Sequence, residues 1–291
     1  MMKPIRVKTA SGLIDFLIRM GHSKTKVKQL LKHRAIAVNR KVVTGHDHIL
    51  SAGDLLSLDS KPEPGTDILE KYDIEILHED DAVMVINKPS GLLTIATESE
   101  KRETAYYLLN AYFKERNPLR PDRIFIVHRL DRETSGLIVF AKNEAVKKKL
   151  QDDWEKAEKK YYAVVEGVPK QREGKIESHL NETKAFKVYS DAMSDQTKHA
   201  VTRYKVIRSD KTHALLEIIL DTGRKHQIRV HLSDLGCPIV GDKKYGAVTN
   251  PIRRIALHAY SLSFTHPDTK KKMQFTTLIP PAFGSLVKHM V

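Results

Sequence analysis

Apolar positions along this chain follow two periods, and where each period holds sets out the elements. Leu13, Phe16 and Leu17 recur at helical spacing, and Val27, Leu30 and Leu31 form a second apolar stripe after Ser23, a residue suited to capping a helix. On that second helix Lys24, Lys28 and Lys32 fall every fourth residue, which puts them on one exposed face. Short apolar runs at 36–43 and 52–58 follow. The stretch Ser60-Lys61-Pro62-Glu63-Pro64-Gly65-Thr66 has no period and carries proline and glycine, which predicts a short, stiff linker. The pattern resumes near residue 70. It predicts strands at 74–76 and 83–86, a helix at 104–115, a strand at 137–141 and a helix opened by Asn143 and running to about Lys156. Strands near 161–166, 200–207 and 213–220 come next. Ile228, Leu232 and Leu235 predict a last helix that Gly236 can end, with Arg229 on a different side from the apolar stripe. Helices interspersed with hairpin-like strand pairs, without regular strand-helix alternation, predict an α+β fold on a mainly antiparallel mixed sheet. The expected division is a module over 1–60, a linker over 61–70 and a large domain over 71–291.

Composition narrows the partners. The 291 residues carry 50 Lys+Arg against 36 Asp+Glu, a formal charge of +14, which draws a protein to polyanions. Residues 1–60 hold 11 basic residues against 4 acidic ones, a difference of +7, so half the excess sits in about a fifth of the chain. A solvated helix face is the plainer reading of the lysine run, and an RNA-binding face the functional one. No apolar run is long enough to span a bilayer, and the start of the chain leads into no secretory segment, so no membrane partner is expected. A single cysteine, Cys237, excludes an internal disulfide and suits a reducing cytoplasm.

The candidate chemistry centres on Ile126-Val127-His128-Arg129-Leu130-Asp131-Arg132-Glu133-Thr134-Ser135-Gly136-Leu137. Thr134-Ser135-Gly136 reads as turn chemistry before an apolar strand, which leaves Asp131 on a loop held by a rigid element. Asp131 can be a reactive carboxylate, or it can cap its own turn through its side chain. A metal site is not expected, because His226, His231 and Cys237 stand at spacings of five and six residues that match no common ligand pattern. No phosphate-binding loop is present either.

The segment His128-Arg129-Leu130-Asp131-x-x-Thr134-Ser135-Gly136 resembles the signature of the RluA-type pseudouridine synthases. Three further segments resemble the same family in order. These are Asn87-Lys88-Pro89-Ser90-Gly91-Leu92-Leu93, Lys159-Lys160-Tyr161-Tyr162-Ala163, and Thr222-Gly223-Arg224-Lys225-His226-Gln227-Ile228-Arg229-Val230-His231-Leu232 with Gly241-Asp242-x-x-Tyr245-Gly246 beyond it. Residues 11–58 resemble an S4 (alpha-L-like) RNA-binding module, with His33-Arg34-Ala35 and Asn39-Arg40 departing from its usual glycines.

The resemblance implies an RNA isomerase without cofactor or metal, with Asp131, Tyr161 and Arg229 in catalytic roles. Asp131 would act as nucleophile or base, Arg229 would keep it ionised, and Tyr161 would stack on the flipped uracil. Arg129, Thr134 and Ile228 would serve base flipping and substrate binding, while Arg224, Lys225 and the face of Lys24, Lys28 and Lys32 would contact RNA phosphates. The implied partner is 23S ribosomal RNA or a pre-50S particle, met by a cytoplasmic monomer. Thr94-Ile95-Ala96 follows Leu93 where many relatives carry Val-His-Pro, so no relative's target uridine transfers directly. Open alternatives are a non-catalytic RNA binder, a synthase acting on tRNA, and a hydrolase that releases free uracil.

Overall fold

A computed structural model describes residues 4–32, 35–39, 41–58, 66–116, 123–183 and 187–287. They form two compact units, Met1–Thr66 and Asp67–Val291.

The first unit runs β1 (Ile5–Arg6), β2 (Ser11–Gly12), α1 (Leu13–Arg19), α2 (Lys24–Lys32), β3 (Ile36–Val38), β4 (Lys41–Val42), β5 (Ile49–Leu50) and β6 (Leu55–Leu58). The sheet order is β1-β6-β3-β4, and β2 pairs separately with β5. Leu13 and Leu17 of α1 and Val27, Leu30 and Leu31 of α2 are buried together against Ile36 and Leu56, as their spacing predicts. Ser23 Oγ accepts from Lys26 N at 3.1 Å, so the expected helix start is a side-chain cap. Asn39 takes a left-handed φ of 52° in the β3–β4 turn, and its amide bonds Asp54 and Leu55 N at 2.8 and 2.9 Å. Lys24 and Lys28 are exposed. The Lys32 side chain, His33, Arg34, Arg40, residues 59–60 and residues 61–65 of the expected linker lie outside the described residues.

The second unit continues α3 (Thr66–Lys71), β7 (Glu75–Glu79), β8 (Val83–Lys88), α4 (Ala105–Arg116), β9 (Phe125–Ile126), β10 (Ser135–Ala141) and α5 (Glu144–Asp152). Then come β11 (Glu158–Glu166), β12 (Glu173–Glu182), β13 (Val188–Asp191), β14 (Lys198–Ser209), β15 (His213–Leu220), α6 (Gln227–Asp234), β16 (Leu257–Thr265), β17 (Lys272–Thr276) and α7 (Pro281–Gly284). One sheet holds β13-β12-β14-β15-β11-β16-β10-β8-β7, with β9 paired to β10 and β17 to β16. Every pairing in it is antiparallel except β10 with β16, so the unit is α+β on a mainly antiparallel mixed sheet.

Strand β10 is the axis of this arrangement. Ile138 and Phe140 face one core with Leu109 and Phe113 of α4, while Leu137 and Val139 face the other with Val146 and Leu150 of α5. Burial on both faces explains why the sequence there is a continuous apolar run rather than an alternating one. Three expectations need correction. Ser135 and Gly136 are strand residues, not a turn, because β10 begins two residues early to pair with His258 and Ala259 of β16. The helix after Asn143 ends at Asp152 and yields to a single tighter turn, Trp154–Lys156, although Asn143 does cap it by accepting from Val146 N at 2.8 Å. Helix α6 has no one-sided apolar stripe. Gln227 through Leu232 are all buried, while Leu235 lies past the helix end and is exposed.

Candidate active site

Asp131 lies on the loop between β9 and β10, and neighbouring segments fix that loop from several directions. The main chain closes the turn that follows it, with Thr134 N donating to the Asp131 carbonyl at 3.2 Å. The carboxylate is therefore not spent on capping. His128 Nε2 accepts from Val139 N at 3.1 Å while its ring stacks on Trp154 at 4.4 Å. Burial pushes the His128 imidazole down to about 3, so the ring is neutral and serves to hold the loop to β10. Thr94 is buried; its hydroxyl donates to the Leu130 carbonyl at 2.9 Å and accepts from Leu130 N at 3.2 Å.

A second clamp runs from the segment after β8. Gly91 N donates to Arg132 O at 2.8 Å, Arg132 Nε donates to Gly91 O at 3.0 Å, and the Ser90 hydroxyl donates to Glu133 O at 2.6 Å. The fully buried Lys88 ammonium donates to the carbonyls of Pro89, Leu92 and Arg132 at 2.8, 2.7 and 3.4 Å. Burial pushes it down to about 7, against the opposing pull of the Asp131 charge. The Asn-Lys-Pro-Ser-Gly segment thus shapes the Asp131 loop from behind.

The Asp131 carboxylate faces α6. Arg229 NH1 donates to its Oδ2 at 3.2 Å, and Glu133 Oε2 stands 3.9 Å from the same nitrogen. Arg229 is 4% exposed, not the surface residue its polar character would suggest. Its other two nitrogens fork onto Asp242, Nε to Oδ2 at 2.7 Å and NH2 to Oδ1 at 2.9 Å, and its guanidinium carbon lies 5.0 Å from the Tyr245 ring centre. Burial lowers the Arg229 pKa, and the hydrogen bonds and charge of buried Asp242, joined by half-buried Asp131, more than offset this and raise it. The Tyr245 hydroxyl accepts from Val188 N at 3.1 Å and bonds His226 Nδ1 at 2.7 Å. With Tyr245 donating to Nδ1, the proton of the neutral ring sits on Nε2, 3.8 Å from Asp131 Oδ2. Burial lowers the His226 pKa, partly opposed by the Asp131 charge.

A small open cleft lies over this constellation, lined by Asp131, Tyr161, Arg129, Thr134, Ile228 and Arg224 among others. The structure thus gathers all three expected catalytic residues and all three expected substrate-binding residues at one place. Tyr161 sits where the β11–β16 register slips by one residue, between Lys160 and Tyr161, a bulge of the kind that re-aims side chains. Burial raises its phenol pKa first of all, and the Asp131 charge adds to this, so the hydroxyl is protonated. Tyr162 points the other way, stacked on Tyr260 at 3.9 Å. Arg129 and Arg224 are exposed at the rim, and Arg224 Nε donates to His199 O at 3.1 Å. Lys225 is paired with Glu182, so its charge is partly committed. The imidazole of His231 bonds Thr202 and Ser178, and that of His226 bonds Tyr245, hydrogen bonds that tie both rings into the fold.

Asp242, Thr94, His128 and His226 carried no assigned role in the sequence. Asp242 had a signal, since it stands in Gly241-Asp242-x-x-Tyr245-Gly246 and a buried arginine needs a carboxylate. Thr94 had none, because a threonine hydroxyl matching a distant loop leaves no local pattern.

A model of the RNA pseudouridylate synthase family matches residues 82–234. Over 99% of its length the chain is 34% identical to an uncharacterized RNA pseudouridine synthase of Mycoplasma genitalium, covering 96% of that protein. It is 32% identical to ribosomal large subunit pseudouridine synthase D of Neisseria meningitidis serogroup A, over 95% of this chain and 78% of that one. Among solved structures, human RNA pseudouridylate synthase domain containing 4 superposes with a TM-score of 0.62 at 28% identity, over 76% of this chain and 94% of the human one.

Proposed function

Because this chain belongs to the RNA pseudouridylate synthase family and is an RNA uridine isomerase, we propose that Asp131 is its reactive carboxylate and that its target uridines lie in large-subunit ribosomal RNA. The observation that carries the first part is the 3.2 Å contact of Asp131 with a buried guanidinium beneath an open cleft. The second part is supported by the similarity to large-subunit synthases of Neisseria meningitidis and Vibrio cholerae, 32% identical in both cases.

Isomerisation breaks the N1–C1′ bond, turns the uracil in place and joins C5 to C1′; the C5 proton leaves and N1 gains one. Neither redox chemistry nor phosphoryl transfer is involved. Asp131 supplies the anion, either as nucleophile or as base toward a sugar proton. A carboxylate enclosed beneath a stacked base would tend to protonate, and Arg229 opposes that by favouring its charged form. The Tyr161 ring would stack on the uracil beside Asp131, and its protonated hydroxyl would take part in the late proton transfer. Arg129 at the rim would occupy the gap left by the extruded nucleotide, offsetting an unstacking cost of a few kcal/mol. The first unit, read as an S4-like module, would hold RNA phosphates on the face of Lys24, Lys28 and Lys32.

Mapping pseudouridines in ribosomal and transfer RNA from cells with and without the gene tests the substrate. Loss of sites in 23S ribosomal RNA is expected; loss confined to tRNA would overturn it. Free uracil released from a uridine-containing RNA would instead indicate a hydrolase.

A further inference from the structure

Arg229 serves two carboxylates unequally. It gives Asp242 a two-pronged grip at 2.7 and 2.9 Å and gives Asp131 a single contact at 3.2 Å from the remaining nitrogen. Asp242 is 1% exposed and cannot move far. Its backbone N donates to Ile239 O at 2.9 Å, and its carbonyl accepts from Tyr245 N and Ala247 N at 3.0 and 3.1 Å. Gly241 before it packs so closely on Arg254 that a Cβ there would lie 2.2 Å from the Arg254 carbonyl oxygen, so the segment is anchored on that side too. The same segment supplies Tyr245, whose ring lies 5.0 Å from the guanidinium carbon. Arg229 is thus gripped by one rigid stretch and only touched by Asp131. The other charged or titratable groups near the pair are Glu133, 3.9 Å from Arg229 and half-exposed, His226, 3.8 Å from Asp131, and the buried Lys88 ammonium and Tyr161 phenol, both of which feel the Asp131 charge.

We propose that Asp242 is a positioning residue: it fixes Arg229 so that one N–H edge faces Asp131, and it retains the guanidinium when Asp131 turns its charge to the substrate. The inference rests on reading Asp131 as the reactive carboxylate. It follows from a physical difficulty in that reading. When a carboxylate forms a bond or takes a proton, its salt-bridge partner loses its counter-charge, and a buried arginine left unpaired is strongly disfavoured. Without a second anion, Arg229 would either follow Asp131 or draw it back from the substrate. Asp242 removes that conflict, because the fork remains intact whatever the state of Asp131. The guanidinium suits this division of labour, since its planar fork satisfies one carboxylate fully and leaves a further nitrogen for another.

The test is the full-length Asp242→Asn protein. The amide is nearly the same size but turns an NH₂ toward a guanidinium N–H, so the fork breaks. The single-turnover rate at saturating RNA should fall about a hundredfold, with RNA affinity within about twofold of wild type and Asp242→Glu recovering part of the rate. A packing role alone would lower the folded fraction and leave the rate per folded molecule unchanged, and that result would overturn the proposal. Should Asp242→Asn fail to fold, the ¹⁵N resonance of Arg229 Nε decides. It should persist, protected from exchange, in Asp131→Asn as in wild type, because Asp242 and not Asp131 holds it. Its loss in Asp131→Asn would overturn the proposal. An Asp131→Asn protein that stays active would instead refute the role of Asp131, and the resonance would still report what holds Arg229.

Discussion

Replacing Gly136 by alanine tests how tightly the Asp131 loop is tied to the sheet. Gly136 takes a φ of 117°, and it is paired with Ala259 where β10 runs parallel to β16. A Cβ there would lie 2.2 Å from the Ala259 carbonyl oxygen, and 2.6 and 2.7 Å from its N and C, all main-chain atoms. That is about 1.3 Å inside ordinary contact. No side chain can rotate away, so β10 and β16 must part. An L-residue held at such a φ costs roughly 1–3 kcal/mol, and overpacking a close-fitted site costs roughly another 1–3 kcal/mol. A total near 4 kcal/mol lowers the melting temperature of a unit this size by roughly 8–16 °C. The parting also acts on Ser135 and Thr134, which connect Asp131 to the strand, so the single-turnover rate well below the melting temperature should fall by about tenfold or more. Thermal unfolding followed by circular dichroism, with rates measured on the folded protein, reads both effects. A melting temperature within about 2 °C of wild type would show that β10 and β16 tolerate a Cβ at this contact.

Thr94→Val removes two hydrogen bonds from the buried Leu130 main chain and should cost about 1–3 kcal/mol, with a slower single turnover and unchanged RNA affinity; a rate equal to wild type would show that the loop needs no such pin. Lys88→Met tests a pH dependence. Burial lowers the folded-state pKa to about 7, below the unfolded value, so above pH 7 the unfolded chain binds the extra proton and this group adds stability as pH rises. Between pH 7 and 9.5 the wild type should therefore gain on the methionine variant by up to about 1.4 kcal/mol per pH unit, and parallel curves in denaturant unfolding would contradict it. Changing Lys24, Lys28 and Lys32 together to glutamine should weaken RNA binding and flatten its salt dependence while sparing the chemical step at saturation. Salt-series lines that coincide with wild type would show a merely solvated face.

The sequence disclosed elements where several apolar residues recur on one face or run together. The stripes of α1 and α2 and the run in β10 each match a face or a buried strand in the structure. It misread Ser135 and Gly136 as a turn, because serine and glycine are favoured in turns and the reason for this glycine, a close approach to Ala259, lies 123 residues away along the chain. Strands β12, β13 and β17 escaped notice because each carries only two apolar side chains among polar ones, Ile176 and Leu180, Val188 and Tyr189, and Met273 and Phe275, while β16 mixes His258, Ser261 and Ser263 into its buried face. Asp131, Tyr161 and Arg229 stood out as candidates through the resemblance, and the structure brings them to one cleft. What holds them was not. Arg229 shows as buried only once Asp242 is seen to neutralise it, and that pairing joins a helix to a loop 13 residues on.

The most direct measurement is single-turnover conversion of a uridine-containing ribosomal RNA fragment by Asp131→Asn, with RNA affinity and thermal stability recorded on the same preparation. The amide keeps the size of the side chain and one acceptor for Arg229 but cannot serve as anion or base. If Asp131 is the reactive carboxylate, the variant should fold as wild type, bind RNA within about threefold, and convert it at least about 10⁴-fold more slowly, in the range seen when an essential catalytic group is lost. Conversion within tenfold of wild type would contradict it.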